Sequence, residues 1–134
     1  MDALSEILEN AKLYLAKSQS KLESAKLNLA HDQYDDAVSR AYYCVFHAIS
    51  GLLFLKGLEF SSHGQTIGSF NKEFIKTGIF PRQFGKSIYK LFEFREIGDY
   101  AINSNITEKN AFESIQFAEE FLRIISDYID RNFS

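Results

Sequence analysis

This 134-residue sequence has one cysteine, one proline and three histidines, and each scarcity closes off a class of protein. The lone Cys44 cannot form an intrachain disulfide, and secreted domains usually carry an even set of cysteines. A reducing compartment follows, and the cytoplasm is the expected location. His31, His47 and His63 have no second cysteine for company and no spacing that would pair them as zinc ligands on one helix. The Glu-x-x-His pattern of di-iron bundles is missing. So are a glycine-rich phosphate loop and a nucleophile elbow, and no metal or cofactor is expected. Long apolar runs are also missing. The best stretch, Ala41 to Leu55, is interrupted by His47, Ser50 and Gly51 and falls short of the ~20 residues of a membrane span. Asp2, Glu6, Glu9 and Lys12 break up the beginning of the chain, so no signal peptide is expected. A net charge of −3 argues against a protein that coats DNA over its whole surface.

What is present suits one globular domain spanning residues 1–134. Hydrophobic residues make up 46% and charged residues 25%, with thirteen Phe and seven Tyr. A chain of this length buries roughly two-thirds of its unfolded surface. The charge is uneven: Lys72, Lys76, Arg82, Lys86, Lys90 and Arg95 outweigh Glu73 and Glu93, whereas residues 107–134 are acidic. The basic stretch is either a phosphate-facing surface or a solvated helix face.

Apolar periodicity predicts five helices and no strands. Leu4, Leu8, Ala11, Leu15, Ser18, Leu22, Ala25 and Leu29 repeat at steps of four and three, the seam of a long amphipathic helix. His31 and Asp32 mark its end, with Asp32 placed to cap the next helix. That second helix, about 33–56, carries two apolar stripes, Ala37-Ala41-Val45-Ala48-Leu52-Leu55 and Tyr42-Phe46-Ile49-Leu53. Burial on most sides is implied. A third line on it is polar: Asp36, Arg40, Tyr43, His47 and Ser50. Ser62-His63-Gly64-Gln65 reads as a capping box opening a third helix with inner residues His63, Ile67, Phe70 and Phe74. Gly78 and Pro81 end it, a fourth helix covers about 82–101, and Thr107 caps a fifth. Short connections make these an up-and-down antiparallel bundle of four to five helices, all-α.

On a wheel of the fourth helix, Arg95 and Asp99 fall among Ile88, Leu91, Phe92 and Ile102. A buried charge must be paired, or it costs several kcal/mol. The pair is therefore either a bridge stitching two helices or a guanidinium held at a cleft for phosphate, which its planar fork suits. The polar groups placed to join it are Arg40, Tyr43, His47 and His63. His63, at a helix N-terminus, is expected to stay neutral. Tyr100 falls about 140° from Arg95 on a regular helix, unless Gly98 loosens it.

Three segments carry a family resemblance: Ser39-Arg40-Ala41-Tyr42-Tyr43; His63-Gly64 with Phe70, Phe74 and Lys76-Thr77-Gly78; and Phe94-Arg95-Glu96-Ile97-Gly98-Asp99-Tyr100 before a helix rich in Ala, Glu and Phe. In this order, over most of the chain, the sequence resembles the HEPN domain family. The resemblance implies a helical bundle, commonly a homodimer, often encoded beside a small nucleotidyltransferase. It also implies toxin–antitoxin membership and, in many members, metal-independent RNA cleavage by an arginine followed a few residues later by a histidine. Arg95 matches the arginine. Tyr100 stands where the histidine would, and no histidine follows Arg95. Two readings result: a nucleotide- or substrate-binding or toxin subunit acting with a nucleotidyltransferase, or an endoribonuclease using Arg95 with a non-standard partner. RNA or a nucleotide is the implied ligand of either.

Overall fold

The second helix organises the molecule because it is apolar on nearly every side. The computed structural model describes residues 2–133. Its helices are α1 (Ala3–Ala30), α2 (Tyr34–Leu55), α3 (His63–Phe70), α4 (Arg82–Tyr100) and α5 (Glu108–Phe133), with no strand among the described residues. Both expected stripes of α2 are largely buried: Ala37, Ala41, Val45, Ala48 and Leu52 on one side, Tyr42, Ile49 and Leu53 on the other, with Leu55 and Phe46 half-buried. The neighbours close around it. α1 contributes Ala11, Ser18, Leu22 and Ala25, and α5 contributes Ala111, Ile115, Ala118, Phe121, Leu122, Ile125 and Ile129. Leu4, expected in the seam of α1, is instead exposed in the first turn of the helix.

α2 is long and apolar enough to cross a membrane by length and composition, contrary to the shorter span read from its interruptions. Its apolarity has another cause here, since 56% of the relevant window is buried inside the protein. It is the core helix of the bundle.

The helix ends follow local chemistry, with one correction. The Ser62 hydroxyl accepts from the Gln65 amide at 3.0 Å, as a cap should. Gln65 stays exposed, and Thr66 Oγ1 donates to the Ser62 carbonyl at 2.9 Å. Thr107 and Asn110 cap α5 reciprocally, each side-chain oxygen accepting from the other's amide. Asp32 does not cap α2. It takes the left-handed conformation, φ 58, to turn the chain between helices, and its carboxylate accepts from the Tyr34 hydroxyl. Gln33 holds the cap position without a side-chain bond. Asp35 and Asp36 in the first turn of α2 supply the negative charge the helix dipole favours there.

Beyond Phe70 the third helix widens into a π turn, Asn71–Ile75. Phe70 and Phe74 are both fully buried and stack at 5.5 Å. Gly78, at φ 82, reverses the chain, and Pro81 sits at the start of α4. The helix α4 stops at Tyr100 and the chain turns extended at Ala101. Ile102 therefore leaves the inner stripe projected for it and is fully exposed.

α1 and α2 meet closely at Gly51, where a Cβ would sit 2.9 Å from Tyr14 Cβ and 3.1 Å from the Ala11 carbonyl oxygen. Alanine gains about 1 kcal/mol of helix propensity over glycine, but overpacking a tight contact costs about 1–3 kcal/mol. Neither Tyr14 Cβ nor a backbone oxygen can rotate aside, so the clash wins. Gly51→Ala should lower stability by about 1–2 kcal/mol in denaturant titration; an unchanged midpoint would mean that the two helices have slack at this crossing.

Candidate functional site

Arg95 reaches α2 because the C-terminal half of α4 lies against it. At Gly98 a Cβ would meet Ile106 Cδ1 at 3.2 Å and the Asp35 carbonyl oxygen at 3.3 Å. Glycine here lets the backbones approach and does not break the helix, which runs on to Tyr100. One turn earlier, Arg95 is 9% exposed.

Its guanidinium is held on several sides. Nη2 donates to the Tyr43 hydroxyl at 2.9 Å, and Nη1 donates to Glu96 Oε1 at 2.7 Å. Nε lies 3.1 Å from Asp99 Oδ2, an ion pair whose angle does not make a hydrogen bond, so this buried N–H has no hydrogen-bonded acceptor. The flat faces of Tyr42 and Tyr43 approach the guanidinium carbon at 5.1 and 5.5 Å, within cation–π range. Burial works against the charge, but the Tyr43 hydrogen bond, with Tyr42 and Asp99, more than offsets it and raises the pKa.

His63 joins from the start of α3. Its Nδ1 shares a hydrogen bond with the Tyr42 hydroxyl at 2.8 Å. Its ring stacks on Phe46 at 4.2 Å and meets Tyr43 edge-on at 5.9 Å. Burial, then the charge of Arg95, lowers the His63 pKa against the opposing pull of Glu96. The neutral ring expected from the helix dipole is thus favoured chiefly by desolvation. His47 lies beside Tyr43, ring centroids 6.1 Å apart. Burial together with Lys17, Lys21 and His63 pushes its pKa down to about 4. Burial also drives the Tyr42 hydroxyl well above the ordinary tyrosine range, against the pull of Arg95.

Of the residues singled out from sequence, Asp99, Tyr43 and His63 surround Arg95 directly or through one neighbour, and His47 borders the same group. Arg40 is exposed and is not drawn in. Tyr100 is 73% exposed, on the side of α4 away from Arg95, as a regular helix requires. Two members were missed. Tyr42 was assigned to an apolar stripe, although a buried tyrosine hydroxyl needs a partner, which pointed to a polar neighbour. Glu96 had no pattern to reveal it, because consecutive helical residues do not normally face each other.

The depressed histidine fixes a pH dependence. An unfolded histidine titrates near 6.5 and His47 in the fold near 4, so between those values the unfolded chain binds more protons. Stability should therefore be full above about 6.5 and fall as pH drops toward about 4. His47→Gln should flatten that slope in thermal melts at stepped pH. An imidazole NMR titration with a midpoint for His47 near 6.5 would refute the assignment.

The HEPN domain family model matches residues 11–128. A UPF0332 protein of Thermotoga maritima is 39% identical, covering 85% of this chain and 86% of that protein. A protein of Methanocaldococcus jannaschii named "Putative toxin MJ0605" is 32% identical over 87% of each chain. The crystal structure of TT1696 from Thermus thermophilus shares the fold with a TM-score of 0.75, at 17% identity, over 87% of this chain and 96% of that one. With its helices in this arrangement and the family model matching most of its length, the chain belongs to the HEPN domain family.

Proposed function

We propose that this protein is a toxin-type HEPN subunit that binds a phosphate-bearing ligand, RNA or a nucleotide, at Arg95 and acts with a small nucleotidyltransferase. The observation that carries the reading is the state of the guanidinium. It is buried and held by Tyr43 and Asp99, yet its Nη1 edge is covered only by Glu96, whose side chain is 44% exposed. An ion pair with so exposed a carboxylate is worth only about 0–1 kcal/mol, so an incoming anion can displace it. A phosphate oxygen swinging in where Glu96 now sits would meet a planar, charge-bearing fork. The two tyrosines already hold that fork in place. The relatives named as toxins in Methanocaldococcus jannaschii support the toxin-type role. A homodimer, placing two such sites in one particle, is part of the same reading.

A second reading, metal-independent RNA cleavage, draws on one specific feature. His63 is kept neutral, is not fully buried, and is tied through Tyr42 to the ring on which Arg95 lies. A neutral imidazole near a phosphate-binding arginine is the pair that attack by a ribose 2′-hydroxyl requires. Tyr100 faces away from Arg95, so it is better placed as a surface target for nucleotide attachment by the partner than as a base.

One set of variants separates the readings. Arg95→Ala should abolish ligand binding and any RNA cleavage in EDTA while the bundle stays folded; the cleavage loss is about 10²–10³-fold, the usual cost of a lost electrostatic donor. Glu96→Gln should tighten binding of a phosphate ligand, because it removes the competing carboxylate. Tyr100→Phe should leave intrinsic activity intact and stop incorporation of labelled nucleotide by the proposed nucleotidyltransferase partner. Wild-type behaviour of Arg95→Ala in all these assays would defeat the proposal, and His63→Ala with full cleavage would defeat the second reading. Light scattering that finds only monomer at tens of micromolar would remove the dimer.

A further inference from the structure

α1 carries a stripe whose role neither the core nor the Arg95 site explains. The Ser18 hydroxyl donates to the Cys44 carbonyl at 2.6 Å, which sets the α1 face that touches α2. To one side of that contact, Tyr14 packs against Phe54 at 5.8 Å and its hydroxyl donates to Glu59 at 3.3 Å. Lys17 and Lys21 follow Tyr14 at helical spacings of three and seven, so they share its side of α1. On α2 the residues of the same side are Tyr43, His47 and Phe54. Both lysine charges act on His47, as this placement requires. Lys17 is exposed and Lys21 half-buried, and neither makes an ion pair among the described residues.

A surface pocket of about 320 Å³ opens beside them, lined by Asn10, Leu13, Tyr14, Lys17 and Phe54. Its walls are aromatic and aliphatic. Leu13, 67% exposed, is a large apolar side chain that the fold itself leaves uncovered. Flat apolar walls beside a basic rim are what single-stranded nucleic-acid sites use, with bases stacked on rings and phosphates tracked by lysines.

We propose that the α1–α2 face is a second nucleotide subsite: the Tyr14–Phe54 pocket takes a base, Lys17 and Lys21 take the flanking phosphates, and the strand continues past His47 to Arg95. This rests on Arg95 as the phosphate site and names the ligand as single-stranded RNA rather than a free nucleotide. The spacing favours a chain. The Arg95 guanidinium is 5.5 Å from the Tyr43 ring, and that ring is a further 6.1 Å from His47, before the lysines are reached. One phosphate group cannot touch both ends. Of the nearby carboxylates, Glu59 accepts from Tyr14 and Asp99 is paired with Arg95, while Glu96 is the one that the strand's phosphate displaces at Arg95.

The test is fluorescence anisotropy of a labelled single-stranded RNA of about ten nucleotides, within the usual site sizes, titrated with the full chain at several salt concentrations. The Lys17→Ala/Lys21→Ala double variant should bind about tenfold more weakly. Its plot of log affinity against log salt should be shallower by about 1.4, the loss of two phosphate contacts on a single strand. Leu13→Glu, at an exposed position, should weaken binding without unfolding the protein, as circular dichroism would verify. Lys12→Ala, which falls on another side of α1, should change nothing. Unaltered affinity and salt slope in the double variant, or no RNA binding by wild type, overturns the proposal. So does intact RNA binding by the double variant with lost binding of the proposed nucleotidyltransferase partner, which would assign the face to a protein. An effect of the lysines with none of Arg95→Ala would sink the Arg95 reading and the strand's continuation to it, and leave only the α1–α2 subsite standing. A DNA strand of the same sequence reports whether the ribose hydroxyl contributes: equal binding supports recognition by phosphate and base stacking alone, and an RNA preference supports RNA as the natural ligand.

Discussion

α2 exposes apolar side chains over most of its circumference, and no single neighbour can cover such a helix. α1, α5, α3 and α4 are arranged as they are because each covers part of it. The polar line of α2 is the exception to that coverage. Of its half-buried members, Tyr43, His47 and Ser50, the first two lie where the covering helices leave a gap beside Arg95. Arg95 enters that gap from α4 and His63 from α3. The candidate site therefore follows from the packing problem: it is the seam that apolar contact does not close.

Inside the seam the charges are arranged to be tolerable more than strong. Arg95 is solvated by two aromatic faces, one hydroxyl and two carboxylates, and the two histidines beside it are shifted toward their neutral forms. Excess positive charge is thus limited to groups that can be matched by a ligand or by Glu96. The basic segment 71–95 behaves differently. Lys56 approaches Glu73, Lys90 lies over Phe94, and the most buried of its charges, Arg95, belongs to the seam.

The fold was largely legible in the sequence, because helix periodicity, the Ser62 and Thr107 caps, and the Gly78–Pro81 break are local signals. Asp32 was misread because an aspartate before a helix can serve either a cap or a left-handed turn, and the tight reversal after His31 decided for the turn. Ile102 was misplaced because a helical wheel has no knowledge of where the helix stops. The site was half legible. Arg95, Asp99 and His63 stood out as polar residues on inward stripes and Tyr43 on the polar line of α2, whereas Arg40, on that same line, is exposed. Tyr42, Glu96, Lys17 and Lys21 depend on which helices become neighbours, and periodicity along one helix cannot report that.

The Ser18–Cys44 contact has a practical corollary. Cys44 is the chain's one cysteine. It is fully buried, next to the Ser18 hydroxyl at 3.3 Å, and burial pushes its thiol up to about 11. Reagents that need an accessible thiolate should pass it by in the folded protein. The surface is in effect already thiol-free, so a cysteine introduced at an exposed position such as Tyr100 could be labelled selectively without first removing the native one. A spin label or fluorophore attached there would report on the outer face of α4 with no background from the core.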